Sequence, residues 1–221
     1  MKLNKSLLDT SHNIKKTYGS KKREVLDRLK EFENLWVKGK DEEIFEELAF
    51  CILTPQSKAK VCCKVIERLK EKGLLFRGSN EDIKEEIRDV RFKNKKADYL
   101  VKARNFFLKN GRICIKQAIS QWKDPHACRD WLVKHITGIG YKEASHFLRN
   151  IGFGEKVAIL DRHILRNLKD LKIIEEIPKS LNKAKYSHIE KLMASFSRRI
   201  DIPLSHLDLI LWYKETGEIL K

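Results

Sequence analysis

Apolar side chains return every three or four residues along most of this chain. Val25, Leu29, Phe32, Leu35 and Trp36 fall on one helical stripe. Ile44, Leu48, Phe50 and Cys51 form a second, and Val61, Val65, Ile66 and Leu69 a third. Gly73 and Gly78 break the pattern. It resumes with Ala97, Leu100, Val101, Arg104 and Phe107, which predicts a helix from Lys93 to Lys109 stopped by Asn110-Gly111. Asp124-Pro125 reads as a helix start, with Asp as N-cap and Pro at the first helical position. Asp201-Ile202-Pro203 reads as the start of the last helix. No pair of runs carries a β-hairpin signal. Ile113 to Ile115 and Val157 to Leu160 could be extended, but each stands alone. The predicted fold class is all-α.

Domain division is weakly marked. Gly111 to Pro125 reads as a crossing between two helical lobes, which sets an N-terminal lobe at 1–120 and a second at 121–221. The first and last helices are expected to pack back across the lobes.

Composition narrows the function. Across 221 residues, 47 Lys and Arg face 31 Asp and Glu, a formal net charge of +16. Lys/Glu pairing on the surface explains a high charge density but not this imbalance, which points to a polyanionic partner, nucleic acid first. The five cysteines are Cys51, Cys62, Cys63, Cys114 and Cys128. Their number is odd and no Cys-x-x-Cys occurs, so neither a disulfide framework nor a zinc or iron–sulfur site is expected. Most of them read as small buried apolar residues. His135 and His146 form no metal site by themselves, and no metal ligand set is called. Met1 to Tyr18 is polar and basic, and no apolar run approaches the roughly 20 residues of a membrane span. The expected setting is therefore soluble and intracellular, in the cytoplasm and associated with the nucleoid.

The segment from Asp124 to Leu168 carries the candidate chemistry. Trp131, Leu132, His135 and Ile136 give one helix an apolar stripe. Thr137-Gly138-Ile139-Gly140-Tyr141 then makes a tight turn into a second helix from Lys142 to Asn150, whose Ala144, Phe147 and Leu148 face the first. Gly138 and Gly140 permit backbone conformations and close approaches closed to other residues. Amides at the start of the second helix lack intrahelical partners and sit at the positive end of the helix dipole, which makes them a phosphate site. An ordinary αα-corner has the same pattern. Lys142, in the first turn of that helix, meets the positive dipole end, a placement expected to favour the neutral, nucleophilic amine. Nineteen residues on, Asp161 closes the apolar run Val157 to Leu160. It is positioned to cap the helix from Arg162 to Leu168. A carboxylate held so rigidly could also stabilise positive charge developing on a sugar carbon.

Gly138-Ile139-Gly140-Tyr141-Lys142-Glu143-Ala144, followed by Ala158-Ile159-Leu160-Asp161-Arg162-His163, resembles the helix-hairpin-helix DNA glycosylase superfamily. The finer resemblance is to the archaeal-type, second family of 8-oxoguanine DNA glycosylase/lyases. Tyr141 to Asn150 resembles that family's lysine helix, the four-cysteine iron–sulfur loop of the endonuclease III branch is absent, and the chain runs through Leu211-Trp212-Tyr213 to a terminal Lys221. The resemblance is densest over about 126–168, extends through Ala49 to Lys58 and resumes from Leu204. One departure is Gly152 to Lys156, which lacks the proline often found before the superfamily's aspartate.

The resemblance implies a two-lobed helix-hairpin-helix glycosylase fold with its active-site cleft between the lobes. It implies a bifunctional enzyme that flips 8-oxoguanine out of duplex DNA, attacks C1′ with Lys142 aided by Asp161, and cleaves the strand by β-elimination. It implies a base pocket from Phe92, Trp212 and the α-carboxylate of Lys221. Gln56, in the loop Thr54-Pro55-Gln56-Ser57, is implied to contact DNA, filling the gap left by the flipped nucleotide or touching the orphaned base. Gly138, Gly140 and Tyr141 would grip the backbone. No metal or redox cofactor is called for. A monovalent cation could sit on the carbonyls of Lys134, Ile136 and Ile139. Arg91, Lys93, Lys95, Lys96, Arg198 and Arg199 are candidate phosphate contacts, and His163 could line the site. The expected partner is double-stranded DNA carrying 8-oxoguanine, bound by a monomer, with no membrane. Two alternatives stay open: another lesion on the same fold, such as an oxidised pyrimidine or a mismatch, and a non-catalytic helix-hairpin-helix module. A pure binding module has no reason to keep both Lys142 and Asp161. A basic scaffold for RNA is a third reading, without any RNA-module signature.

Overall fold

A computed structural model describes residues 5–219 of the chain, with side chains from Ser11 onward. Within these residues the elements are α1 (Lys5–Lys38), α2 (Asp41–Leu53), α3 (Ala59–Glu71), α4 (Leu74–Arg77), α5 (Asn80–Glu86), α6 (Lys93–Phe107), β1 (Leu108–Lys109), β2 (Arg112–Ile113), α7 (Ile115–Ser120), α8 (Pro125–His135), α9 (Tyr141–Leu148), α10 (Arg162–Asp170), α11 (Lys183–Arg199) and α12 (Leu204–Thr216). The fold is all-α, as the periodicity predicts. The periodicity does not predict the one short β-hairpin found among the described residues. Asn110 and Gly111 take φ values of +49° and +77° and join β1 to β2, which pair antiparallel with Leu108 opposite Ile113. Asn-Gly is the dipeptide a two-residue hairpin turn favours. Read only as a helix stop, it concealed the turn.

The chain does not divide near residue 120. One compact unit runs from Leu35 to Phe147, and the other combines the chain up to Asn34 with everything from Leu148 onward. The segment around 111–125 is no crossing, because Ile115 and Ile119 of α7 are buried and α7 packs on α2 within the first unit. The start of α1 belongs with the C-terminal helices, a long-range grouping that no local signal encodes.

In the 35–147 unit, α2 is the central helix. Nine of its thirteen residues are buried, and it packs against α3, α6 and α7. Such all-round burial is what its run of apolar residues requires. In the other unit, α12 packs on α10 and α11, and seven of the eight positions from Leu204 to Leu211 are buried, His206 being the exception. Asp124 caps α8 by accepting the His126 N–H at 3.1 Å, with Pro125 at the first helical position. Of the cysteines, Cys51, Cys62 and Cys128 are buried, and Cys63 and Cys114 lie partly exposed. No helix among the described residues is long and apolar enough to cross a membrane.

Candidate nucleic-acid interface and catalytic residues

The turn between α8 and α9 is built from two glycines used for different reasons. Gly138 has φ +92°, and a Cβ there would lie 2.2 Å from Cδ2 of Tyr99 on α6. The left-handed backbone and the ring pressed on it both demand glycine. Gly140 is not left-handed. Its N–H donates to Oε2 of Glu143 at 3.1 Å, half of a capping box with the acid three residues into α9. One of the amides expected to stand open for a phosphate is therefore already satisfied by a side chain. Glu143 was not singled out from the sequence, although an acid three residues after a helix-start glycine is a recognisable signal. Tyr141 opens α9, and the Arg129 guanidinium lies 5.7 Å from its ring centroid.

Lys142 follows directly. Its side chain is one-quarter exposed, and its Nζ lies 3.7 Å from Oε1 of Glu143. The same carboxylate thus pins the turn through one oxygen and faces the candidate nucleophile through the other.

The loop between α2 and α3 and the start of α6 meet beside this turn. Gln56 and Phe92 are both left-handed, with φ of +56° and +61°. Strain of this kind collects at functional positions. Gln56, Phe92, Lys95, Lys96, Tyr99 and Gly138 line one cavity of about 190 Å³. Phe92 is 49% exposed, and the Arg91 guanidinium sits 5.0 Å from its ring centroid. The fold thus brings together Gln56, Phe92 and Gly138, three residues separated by up to 82 positions. Arg91, Lys93 and Lys95 are exposed, as phosphate contacts must be. Lys96 is not: it is 4% exposed, so the fourth residue of that basic cluster is withdrawn from any phosphate role.

In the other unit, Asp161 caps α10 by accepting the Ile164 N–H at 2.8 Å, the capping role that its position predicts. The extended run before it is held by buried polar side chains. Tyr186 Oη donates to the Ala158 carbonyl at 2.7 Å and accepts the Leu160 N–H at 3.2 Å. Glu190 Oε1 accepts the Ala158 N–H at 2.7 Å. On α12, Asp208 pairs with Arg149 at 2.8 Å. Burial pushes the Asp208 carboxyl up to about 6, against the opposing pull of Arg149, with Asp161 adding a repulsive charge. Arg149 also donates to Oδ1 of Asn150 in a π-turn over Arg149–Phe153. Within it Gly152 takes φ +87°, where a Cβ would meet the Glu33 backbone at 2.9 Å. Tyr186, Glu190, Arg149 and Asp208 carry no sequence signal, because each pairs with a group remote in the chain: Tyr186 and Glu190 with the backbone of the 158–160 run, Arg149 and Asp208 with each other.

Trp212 stands edge-on to His163, with centroids 5.2 Å apart at 85°. His163 Nδ1 lies 3.3 Å from Glu215 Oε2, and Asn167 Nδ2 donates to Oε1 of the same carboxylate at 3.0 Å. The indole Nε1 of Trp212 is buried with no hydrogen-bond partner among the described residues. Lys221 lies outside the described residues. Arg198 and Arg199, in the last turn of α11, are exposed.

An all-α chain with a Gly-x-Gly turn between two helices, a lysine at the start of the second and a capping aspartate beyond it belongs to the class of helix-hairpin-helix DNA glycosylases. The sequence profile of 8-oxoguanine DNA glycosylase matches residues 25–202, and the chain belongs to that family. It is 47% identical over 210 residues to an 8-oxoguanine DNA glycosylase/AP lyase of Fusobacterium nucleatum, an alignment covering 95% of this chain and 97% of that one. The crystal structure of Methanocaldococcus jannaschii 8-oxoguanine DNA glycosylase superposes with a TM-score of 0.87 at 37% identity, covering 97% of each chain. The M. jannaschii enzyme in complex with a 15mer DNA containing 8-oxoguanine superposes with a TM-score of 0.85 at 38% identity, covering 95% of this chain and all of that one.

Proposed function

We propose that this protein excises 8-oxoguanine from duplex DNA and nicks the strand at the resulting site. The observation that carries this reading is a glycosylase/lyase likeness spanning nearly the whole chain, joined to a lysine at the start of α9 directly after the Gly138–Gly140 turn. Lys142 supplies the nucleophile. Its neutral amine attacks C1′, the glycosidic bond breaks, and the base leaves with the bonding pair and takes up a proton. The Asp161 carboxylate offsets positive charge on the sugar as the base departs. Opening of the sugar ring gives a Schiff base. Loss of a 2′ proton then expels the 3′ phosphate. These steps call for no metal or redox cofactor.

Phe92 and Trp212 offer faces for an unstacked purine, and Trp212 brings an indole N–H with no partner among the described residues. Gln56, Gly138, Gly140 and Tyr141 engage the duplex. Helix α8 ends at His135 with Ile136 extended, so its last carbonyls lack intrahelical acceptor roles. The carbonyls of Lys134, Ile136 and Ile139 would together offer a monovalent cation an all-oxygen donor set, fixing the turn against the DNA backbone. The protein acts as a monomer on chromosomal DNA.

Borohydride trapping on a duplex with one 8-oxoguanine tests the reading, with Lys142→Gln beside the parent. A covalent complex that disappears in the variant is expected. Salt-sensitive binding with neither trapping nor nicking would reduce the protein to a DNA-gripping module. Trapping confined to an oxidised pyrimidine or a mismatch would move it to another lesion.

A further inference from the structure

Lys96 lies in a basic run, yet its side chain is turned inward and 4% exposed. Its Nζ donates to the carbonyls of Leu53 at 2.6 Å and Pro55 at 2.7 Å and to the Ser57 hydroxyl at 3.1 Å. All three of an ammonium's donors are used, and all three acceptors are neutral oxygens. Burying an ammonium among neutral groups is costly even when its hydrogen bonds are complete. The direction of its titration agrees: burial lowers the Lys96 pKa, with Cys62 and Glu143 acting against that and Lys142 adding to it. An apolar side chain of similar length would take this donor from the Leu53 and Pro55 carbonyls and the Ser57 hydroxyl, so the charge has local work to do.

That work is visible in what the ammonium joins. Leu53 ends α2, while Pro55 and Ser57 flank Gln56, an exposed residue in a left-handed conformation. The Ser57 hydroxyl also accepts the backbone N–H of Arg91 at 3.2 Å, next to Phe92, the second left-handed residue. The backbone N–H of Lys96 itself donates to the Phe92 carbonyl at 3.0 Å. One buried side chain therefore ties together two strained turns whose outward residues line the same cavity as Gly138. Each such conformation is strained and persists only where its surroundings over-determine it.

We propose that Lys96 is a positioning residue for DNA binding, holding the 54–57 loop in the shape that presents Gln56 to the duplex. The proposal rests on the DNA-engaging role given to Gln56 above.

The test is a double-mutant cycle on duplex affinity. Binding to an 8-oxoguanine duplex is measured in the Lys142→Gln background, so that affinity is read without turnover. Lys96→Met and Gln56→Ala are each expected to weaken binding about tenfold. The double variant is expected to bind no more weakly than either single one, because Lys96 acts through Gln56. A merely structural lysine would not produce this non-additivity. Parent-like binding by Lys96→Met, or two losses that multiply, overturns the proposal. Should Lys96→Met fail to fold, Ser57→Ala takes its place. It removes one acceptor and the link to Arg91, and the same two outcomes decide. Failure of the function itself reads differently: the unsubstituted protein would give no trapped complex at all.

Discussion

The hydroxyl of Tyr186 on α11 donates to the carbonyl of Ala158 at 2.7 Å, three residues before Asp161. By also accepting the Leu160 N–H, it fixes the extended run that delivers the aspartate to the start of α10. Tyr186→Phe keeps the ring and removes only the clamp. The expected stability loss is about 1 kcal/mol or somewhat more, since two buried backbone groups lose their partner. Base release, in which Asp161 is proposed to act, should slow more than strand cleavage at a preformed abasic site. Single-turnover rates on the two substrates check this, and equal slowing would argue that the hydroxyl is structural alone.

The two glycines of the α8–α9 turn should tolerate substitution unequally. Gly138→Ala forces a Cβ into the Tyr99 ring from a left-handed backbone, whereas a Cβ at Gly140 would meet only the Glu143 carboxylate at 3.3 Å. Gly138→Ala should cost several kcal/mol, combining overpacking with backbone strain, and Gly140→Ala distinctly less. Thermal melting of both variants gives the order, and a salt titration of DNA binding shows whether the distorted turn also loses phosphate contacts.

The buried pair of Asp208 and Arg149 makes a pH-dependent contribution to stability. Burial raises the Asp208 carboxyl from 3.8 to about 6, so the folded chain holds that proton more tightly than the unfolded one. The resulting stabilisation is full below about pH 4 and is lost as pH rises through 6, at about 1.4 kcal/mol per unit of separation. The melting temperature of the parent relative to Asp208→Asn should therefore rise as pH falls from 7 to 5. A constant difference would show that the carboxyl titrates at its ordinary value.

Thiol reactivity should divide the cysteines. Burial raises Cys62 to about 11, against the opposing pull of Lys96, and Cys128 to about 12. Both remain protonated and unreactive near neutral pH. Alkylation of the native protein should modify at most Cys63 and Cys114, with the other three reacting only on unfolding. Mass spectrometry of the native and denatured protein counts them.

Much of this protein was legible along the chain because the signals are local. Helical periodicity, the Asp124-Pro125 cap, the Gly-x-Gly turn before Lys142 and the cap at Asp161 each depend on residues a few positions apart. A 3.6-residue repeat, or an acid beside an orphan amide, acts within one turn of helix. The DNA-directed charge was equally plain, since a sum over the chain needs no coordinates. Tertiary structure alone decided the rest. The start of α1 groups with residues beyond 148. Lys96 leaves its basic run to serve a loop some 40 positions away, and Tyr186, Glu190, Arg149 and Asp208 stabilise groups on segments remote from their own. Buried polar groups must be satisfied by whatever the fold places within hydrogen-bond reach. A lysine that faces solvent and one that holds a loop are the same letter in the sequence until packing removes one of them from water.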